Sequence, residues 1–151
     1  MNNFKWFNDQ YGFRKGDLVI QFTASLLRSC LGMYGESDDF VGHVGGDDFI
    51  LITKTKDIKG LCHAITSRFD REIIQFYPDS EKYMELRVVT DRSGQPVRST
   101  GIAISLAVLE CHNINHSEVS LERIAEEAGH LKKRAKSVLG STSVHGNLLP
   151  N

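Results

Sequence analysis

The sequence has little cysteine, no sustained apolar run and almost no net charge, and each shortage removes a class of protein. Cys30, Cys62 and Cys111 are odd in number, lack Cys-x-x-Cys spacing and fall in apolar stretches. That pattern excludes a disulfide-stapled secreted fold and predicts reduced, mostly buried thiols. No apolar run is long enough for a membrane helix and the first residues do not read as a secretory leader, so a cytoplasmic setting is expected. A formal net charge of -1 leaves no broad cationic surface for nucleic acid, so any phosphate recognition must be local.

What is there fits one modest domain. At 151 residues and 40% hydrophobic content, the chain can bury one core but hardly two. No internal repeat or low-complexity linker divides it, so residues 1–151 read as a single domain. Leu18, Val19, Phe22, Leu26 and Cys30 recur at helical spacing and predict a first helix of about four turns, with Asp17 as its cap. Ile58, Leu61, Cys62, Ile65, Phe69, Ile73 and Phe76 mark a second amphipathic helix that Pro78 ends. Met84 to Val89 and Thr100 to Glu110 read as strands around the turn-rich Asp91-Arg92-Ser93-Gly94-Gln95-Pro96, which predicts a long β-hairpin. Ile124, Ala128, Leu131, Ala135 and Val138 mark a third helix with Ser120 as its cap, and Ser143-Val144 a last short strand. Strands mixed with helices imply an α/β (α+β) domain whose largely antiparallel sheet is covered by helices.

The chemistry concentrates in two places. Gly45-Gly46-Asp47-Asp48-Phe49 lies between the apolar runs Phe40-Val41-Gly42-His43-Val44 and Phe49-Ile50-Leu51-Ile52. Adjacent glycines between strand-like runs read as a tight hairpin, because primed turns need a positive φ that glycine adopts cheaply. Its tip presents two carboxylates that could hold Mg²⁺ over a phosphate; solvated acids on an ordinary hairpin are the competing reading. Upstream stands Asn3-Phe4-Lys5-Trp6-Phe7-Asn8-Asp9-Gln10-Tyr11-Gly12-Phe13-Arg14-Lys15-Gly16-Asp17. Together the two clusters resemble the GGDEF family of diguanylate cyclases. That family's pattern is Asp-x-Asp-x-Phe-Lys-x-x-Asn-Asp-x-x-Gly-x-x-x-Gly-Asp, a helix, then a Gly-Gly-Asp/Glu-Glu-Phe hairpin, and the spacing matches throughout. Arg68-Phe69-Asp70 through Phe76-Tyr77, Asp91-Arg92-x-Gly94 and Ile104-Ser105-Leu106 are similar to the subset of these domains found C-terminal to CBS-pair or EAL modules, which implies a tethered module of that kind.

The resemblance implies a nucleotide-cyclase-like palm fold and a reaction joining two GTP molecules into cyclic di-GMP, with release of two pyrophosphates, in bacterial signalling. It implies one GTP per domain and a homodimer in which each ribose 3′-hydroxyl attacks the opposite α-phosphate, a transfer governed by positioning and charge neutralisation. By the same likeness Asp47 is the Mg²⁺ ligand and Asp48 the second acid of the catalytic turn behind Gly45 and Gly46, while Lys5 faces phosphate. Asn8 and Asp17 read guanine, an amide and a carboxylate that suit its edge; Lys136, in Ala135-Lys136, meets the triphosphate.

Four departures qualify the likeness. Asp48 stands where most members have Glu, one methylene longer. Gly140 and Ser141 stand where an arginine usually follows the lysine. Glu36-Ser37-Asp38-Asp39 replaces the Arg-x-x-Asp of product inhibition, so that site is expected to be absent. The family's first metal carboxylate would precede Met1, and its next acid falls on Asn2, so the chain reads as a domain cut just after its first strand. Two functions follow: a cyclase expected to be weak or inactive in this form, or a degenerate domain that binds GTP or dimerises to regulate an attached module. Cys111 with His112-x₃-His116 reads as polar surface rather than zinc ligation, and His43, Trp6 and Phe7 as core aromatics. Lys132-Lys133-Arg134 reads as a solvated helix end whose cations suit the C-terminal dipole.

Overall fold

The computed structural model describes residues 1–82, 87–90, 93–111 and 120–148. Helices α1 (Phe4–Tyr11) and α2 (Phe13–Tyr34) open the chain, followed by strands β1 (Phe40–Gly45) and β2 (Asp48–Ile52) and helix α3 (Ile58–Glu72). A 3₁₀ turn (Ile73–Phe76) leads to β3 (Arg87–Thr90), β4 (Pro96–Ser99), β5 (Ser105–Cys111), α4 (Leu121–Lys136) and β6 (Thr142–Leu148). The architecture is mixed helix and strand, an α+β fold as the composition of periods indicates.

The upstream motif is itself helical. α1 ends at Gly12, whose φ of 87° needs glycine, and α2 starts at the next residue. Asp17 is therefore not a cap: Gly12 is the N-cap and Asp17 lies exposed inside α2. The helix begins earlier than the apolar periodicity alone indicates, because the polar stretch Arg14 to Gly16 is already its first turn. α2 buries Val19, Thr23, Leu26, Leu27, Cys30 and Leu31, residues spaced to share one face. They meet Leu61, Ile65 and Phe69 of α3 and Phe7 of α1 in one core. Each such side chain contributes roughly 1.5–3 kcal/mol on burial. α3 starts at Asp57, whose side chain accepts from Gly60 N at 2.9 Å, and ends at Glu72 with the 3₁₀ turn carrying the chain to Pro78.

Three two-stranded ladders replace a single sheet among the described residues. β1 and β2 pair antiparallel from Phe40↔Ile52 to His43↔Phe49, with a bulge before Gly45. Val41, Phe49 and Leu51 pack on the core, while Phe40, Val44, Ile50 and Ile52 face outward. β3 pairs antiparallel with β4, Arg87↔Ser99 to Thr90↔Pro96, so the second arm of that hairpin is Pro96–Ser99 and not Thr100 to Glu110. Gly101, at φ 92°, breaks the run there, and Pro96, lacking an N–H, sits at the first position of its strand. β5 instead pairs in parallel with β6, Ser105↔Thr142 through Cys111↔Leu148, because α4 lies between them as the crossover a parallel pair requires. The last strand is thus longer than Ser143-Val144. α4 starts at Ser120, whose hydroxyl accepts from Arg123 N at 3.2 Å, and its Leu131 packs so closely on Gly146 that a Cβ there would come within 3.0 Å. Asn2 forms an isolated antiparallel bridge to Ala103. Cys30 and Cys62 are buried but Cys111 is exposed, the outer end of β5. His112, His116 and Met84 lie outside the described residues.

Candidate active site

The hairpin turns at Gly45 and Gly46, with φ of 148° and 54°, and this sharp reversal delivers Asp47 and Asp48 to one edge of the molecule. There they meet α4, more than 80 residues later in the chain. Lys132 Nζ donates to Asp48 Oδ2 at 2.6 Å, and Lys136 Nζ lies 4.0 Å from Asp47 Oδ2 and 3.9 Å from Asp48 Oδ1. The two lysines are one helical turn apart and so share a face. The Met1 ammonium donates to Asp47 Oδ2 at 2.5 Å and to Asp47 O at 3.2 Å. Burial lowers the pKa of that ammonium below its ordinary value, against the pull of Asp47. Burial also works against the charge on Asp48, but the hydrogen bond and charge of Lys132, with Lys136 behind it, outweigh burial and hold its carboxyl below the ordinary range. Asp47, Asp48 and Lys136 thus come together. Lys132, read from sequence as part of a solvated helix end, belongs with them; its signal was the four-residue spacing to Lys136.

Fitness for Mg²⁺ can be tested on these groups. Among the described residues no cluster of three or more His, Cys, Asp or Glu side chains forms a cage. Mg²⁺ rarely needs one: it keeps several waters and binds through one or two carboxylates together with substrate phosphates. The paired carboxylates of Asp47 and Asp48, with the Asp47 carbonyl beside them, suit that mode.

Asn8 and Asp17 are set by the α1–α2 junction. Asn8 sits on α1 and leans on Gly16 of α2, where any Cβ would collide with Asn8 Oδ1 and lie 2.9 Å from its Cγ. Asn8 Oδ1 is buried with no hydrogen-bond partner among the described residues, an orphaned acceptor of a kind folded proteins seldom leave. Asp17 follows Gly16 and is exposed; Lys5, also exposed, lies one turn before Asn8.

The entry to α1 is held by a residue the sequence does not single out. Asn3 adopts a left-handed backbone at φ 58°, and its Nδ2 donates to Ser99 Oγ at 2.9 Å and Gly101 O at 2.8 Å. Only the tolerance of Asn for that conformation hinted at it. Of the remaining candidates, Phe7 is wholly buried and Trp6 packs edge-on to Tyr11. His43 is exposed, stacks on Phe49 and bonds Gly46 O at 2.9 Å. Asp39 is a structural staple: its oxygens accept from Thr53 Oγ1 at 2.6 Å, Glu36 N at 2.9 Å and Lys54 N at 3.0 Å. No helix among the described residues is long and apolar enough to cross a membrane.

Comparison with known proteins finds relatives of this chain. A diguanylate cyclase of Vibrio cholerae serotype O1 (strain ATCC 39541 / Classical Ogawa 395 / O395) is 36% identical over 63 residues, 42% of this chain and 18% of the relative. The signaling protein YkoW of Bacillus subtilis (strain 168) is 34% identical over 106 residues, 70% of this chain and 12% of the relative. The chain therefore spans less than a fifth of the length of either. No solved structure matches it. Residues 1–95 match the family described as "Diguanylate cyclase, GGDEF domain", a stretch that takes in α1, the acid hairpin and α3, and the chain belongs to that family.

Proposed function

We propose that this domain binds GTP with Mg²⁺ and, paired with a second copy, condenses it to cyclic di-GMP. The observation that supports the reading is the convergence of Asp47 and Asp48 with Lys132 and Lys136, carboxylates suited to a metal beside ammonium groups suited to a polyphosphate. Asn8 and Asp17 are the base readers: the orphaned amide oxygen and the exposed carboxylate accept from the N–H groups of guanine, which adenine does not offer in that pattern. Lys136 then contacts the triphosphate. Asp47 and Asp48 would hold Mg²⁺, which when bound neutralises charge on the triphosphate. The 3′-hydroxyl oxygen of the GTP held by the second copy bonds to the α-phosphorus, the bond to pyrophosphate breaks, and the hydroxyl proton passes to solvent. Dimerisation and a tethered CBS-pair or EAL module complete the proposal at the level of the whole protein.

A second reading, a nucleotide-binding regulator without turnover, is favoured by one feature: Asp48 has a short side chain already engaged by Lys132. Product chromatography after incubation with GTP and Mg²⁺, beside calorimetric GTP binding, separates the two. Cyclic di-GMP formation that Asp47→Asn abolishes supports the cyclase. Binding without product supports the regulator, and no binding of GTP defeats both.

A further inference from the structure

We propose that Lys132 is a second polyphosphate-binding residue, held on Asp48 in the nucleotide-free domain and exchanged onto the phosphates of a bound guanine nucleotide. The inference rests on the nucleotide reading above and adds a residue and a competition to it. Lys132 and Lys136 project from one face of α4 toward the same turn, yet they differ in commitment. Lys132 makes a 2.6 Å hydrogen bond, whereas Lys136 stands 3.9–4.0 Å from both acids, in ion-pair range of each but beyond hydrogen-bonding distance. Within this group three ammonium charges, those of Met1, Lys132 and Lys136, face two carboxylates, and the Met1 ammonium is bonded to Asp47 alone. Once the carboxylates serve a divalent cation, both lysines lose their counter-charge, and the anion available at that spot is the polyphosphate.

Two further observations make the exchange cheap. Lys132 and Asp48 are 47% and 39% exposed at their side chains, and ion pairs that wet contribute little to stability. The last turn of α4 carries the negative end of the helix dipole, which favours a cation at Lys136. Charge-assisted bonds to phosphate are stronger than the exposed pair they replace. Lys132 also lies one turn before Lys136, so together they span about one turn of helix along the phosphate chain.

The test compares K132M, which keeps the apolar stem and removes the charge, with wild type and with K133M, the exposed neighbour on α4. Calorimetry with Mg²⁺ measures GTP, GDP and guanosine; Mn²⁺ affinity is measured separately by electron paramagnetic resonance without nucleotide. K132M is expected to weaken GTP and GDP about tenfold, the scale of one charged hydrogen bond, with guanosine unchanged and K133M like wild type. Mn²⁺ affinity in K132M should rise, since the ammonium no longer competes for Asp48, and K132R should restore GTP binding. Unchanged GTP affinity in K132M, an equal loss for guanosine, or weaker Mn²⁺ binding would each overturn the proposal while leaving the nucleotide reading in place. A wild-type chain that binds Mn²⁺ but not GTP overturns that reading and this proposal with it.

Discussion

Substituting Gly16 with alanine should separate fold from function. In most helices the change stabilises: alanine is favoured over glycine by up to about 1 kcal/mol in a helix interior. Gly16 is a buried helical residue of α2, so that gain applies. Against it, the new methyl would enter the space of Asn8 Oδ1 and lie 2.9 Å from Asn8 Cγ. Backbone is not what it meets; the obstacle is the end of one short side chain that can rotate away. Because Asn8 Oδ1 has no partner to lose, its displacement breaks no native hydrogen bond. Gly16→Ala is therefore expected to melt within about 1 kcal/mol of the wild type but to lose the bonds proposed between Asn8 and the base. At about 0.5–1.5 kcal/mol per bond, GTP affinity should fall roughly 2- to 12-fold, with ATP affinity little altered. Thermal denaturation by circular dichroism and calorimetric titration of both nucleotides give the two readouts. Retained GTP selectivity in a stable variant would show that Asn8 does not read the base. Collapse of stability would show that the α1–α2 junction cannot yield.

Other expectations follow from the same geometry. Asp17→Ala should lower GTP affinity more than ATP affinity; equal losses by calorimetry would deny it a base-reading role. Asp47→Asn should remove Mg²⁺-dependent GTP binding at nearly constant shape, whereas survival there together with loss in Asp48→Asn would reverse the ranking of the two acids. Burial, aided by the charge of Glu110, pushes the Cys62 thiol from 9.0 up to about 11. Its raised folded pKa favours the neutral thiol, so its contribution to stability is intact below pH 9 and is lost as pH rises toward about 11. Iodoacetamide at neutral pH should accordingly modify exposed Cys111 first, and early modification of Cys62 in mass spectra would contradict this burial. Ser120→Ala should cost about 1 kcal/mol through loss of the α4 cap, measured by urea denaturation, and an unchanged midpoint would show that the cap is not limiting.

Local patterns carried much of the fold. The glycine pair at 45 and 46 announced its hairpin because positive φ has few other tenants, and the apolar periods of α2, α3 and α4 announced their helices because one face of each is buried. The errors fell where local pattern and pairing part company. Thr100 to Glu110 is apolar enough to be one strand, but nothing in its composition says that Gly101 breaks it or that Ser105–Cys111 will pair in parallel with a strand beyond α4. Strand partners are set by packing across the whole chain, so alternation predicts that a strand exists without naming its neighbour. α1 escaped for the opposite reason: at eight residues with one buried side chain, it offers too short a period to stand out.

The site divides along the same line. Asp47 and Asp48 stood out as candidates because they sit in a turn whose sequence dictates its own shape, and Asn8, Asp17 and Lys136 because family spacing marks them. Lys132 was not, since its meaning depends on the 2.6 Å contact with Asp48, and no run of residues around position 132 encodes a distance to position 48. The same holds for Asn3. Its side chain bridges to Ser99 and Gly101, so the β4–β5 connection, not the sequence of α1, holds the start of the helix that bears Lys5 and Asn8. Gly101 in turn is fixed by Tyr77, because a Cβ there would strike the Tyr77 hydroxyl, which already accepts from Ile102 N at 2.9 Å. The half proposed to read the base thus rests on Tyr77, Ser99 and Gly101, and the half proposed to meet phosphate rests on α4. A substitution in either support should move one ligand contact and spare the other, the pattern expected where distant segments hold separate parts of one ligand.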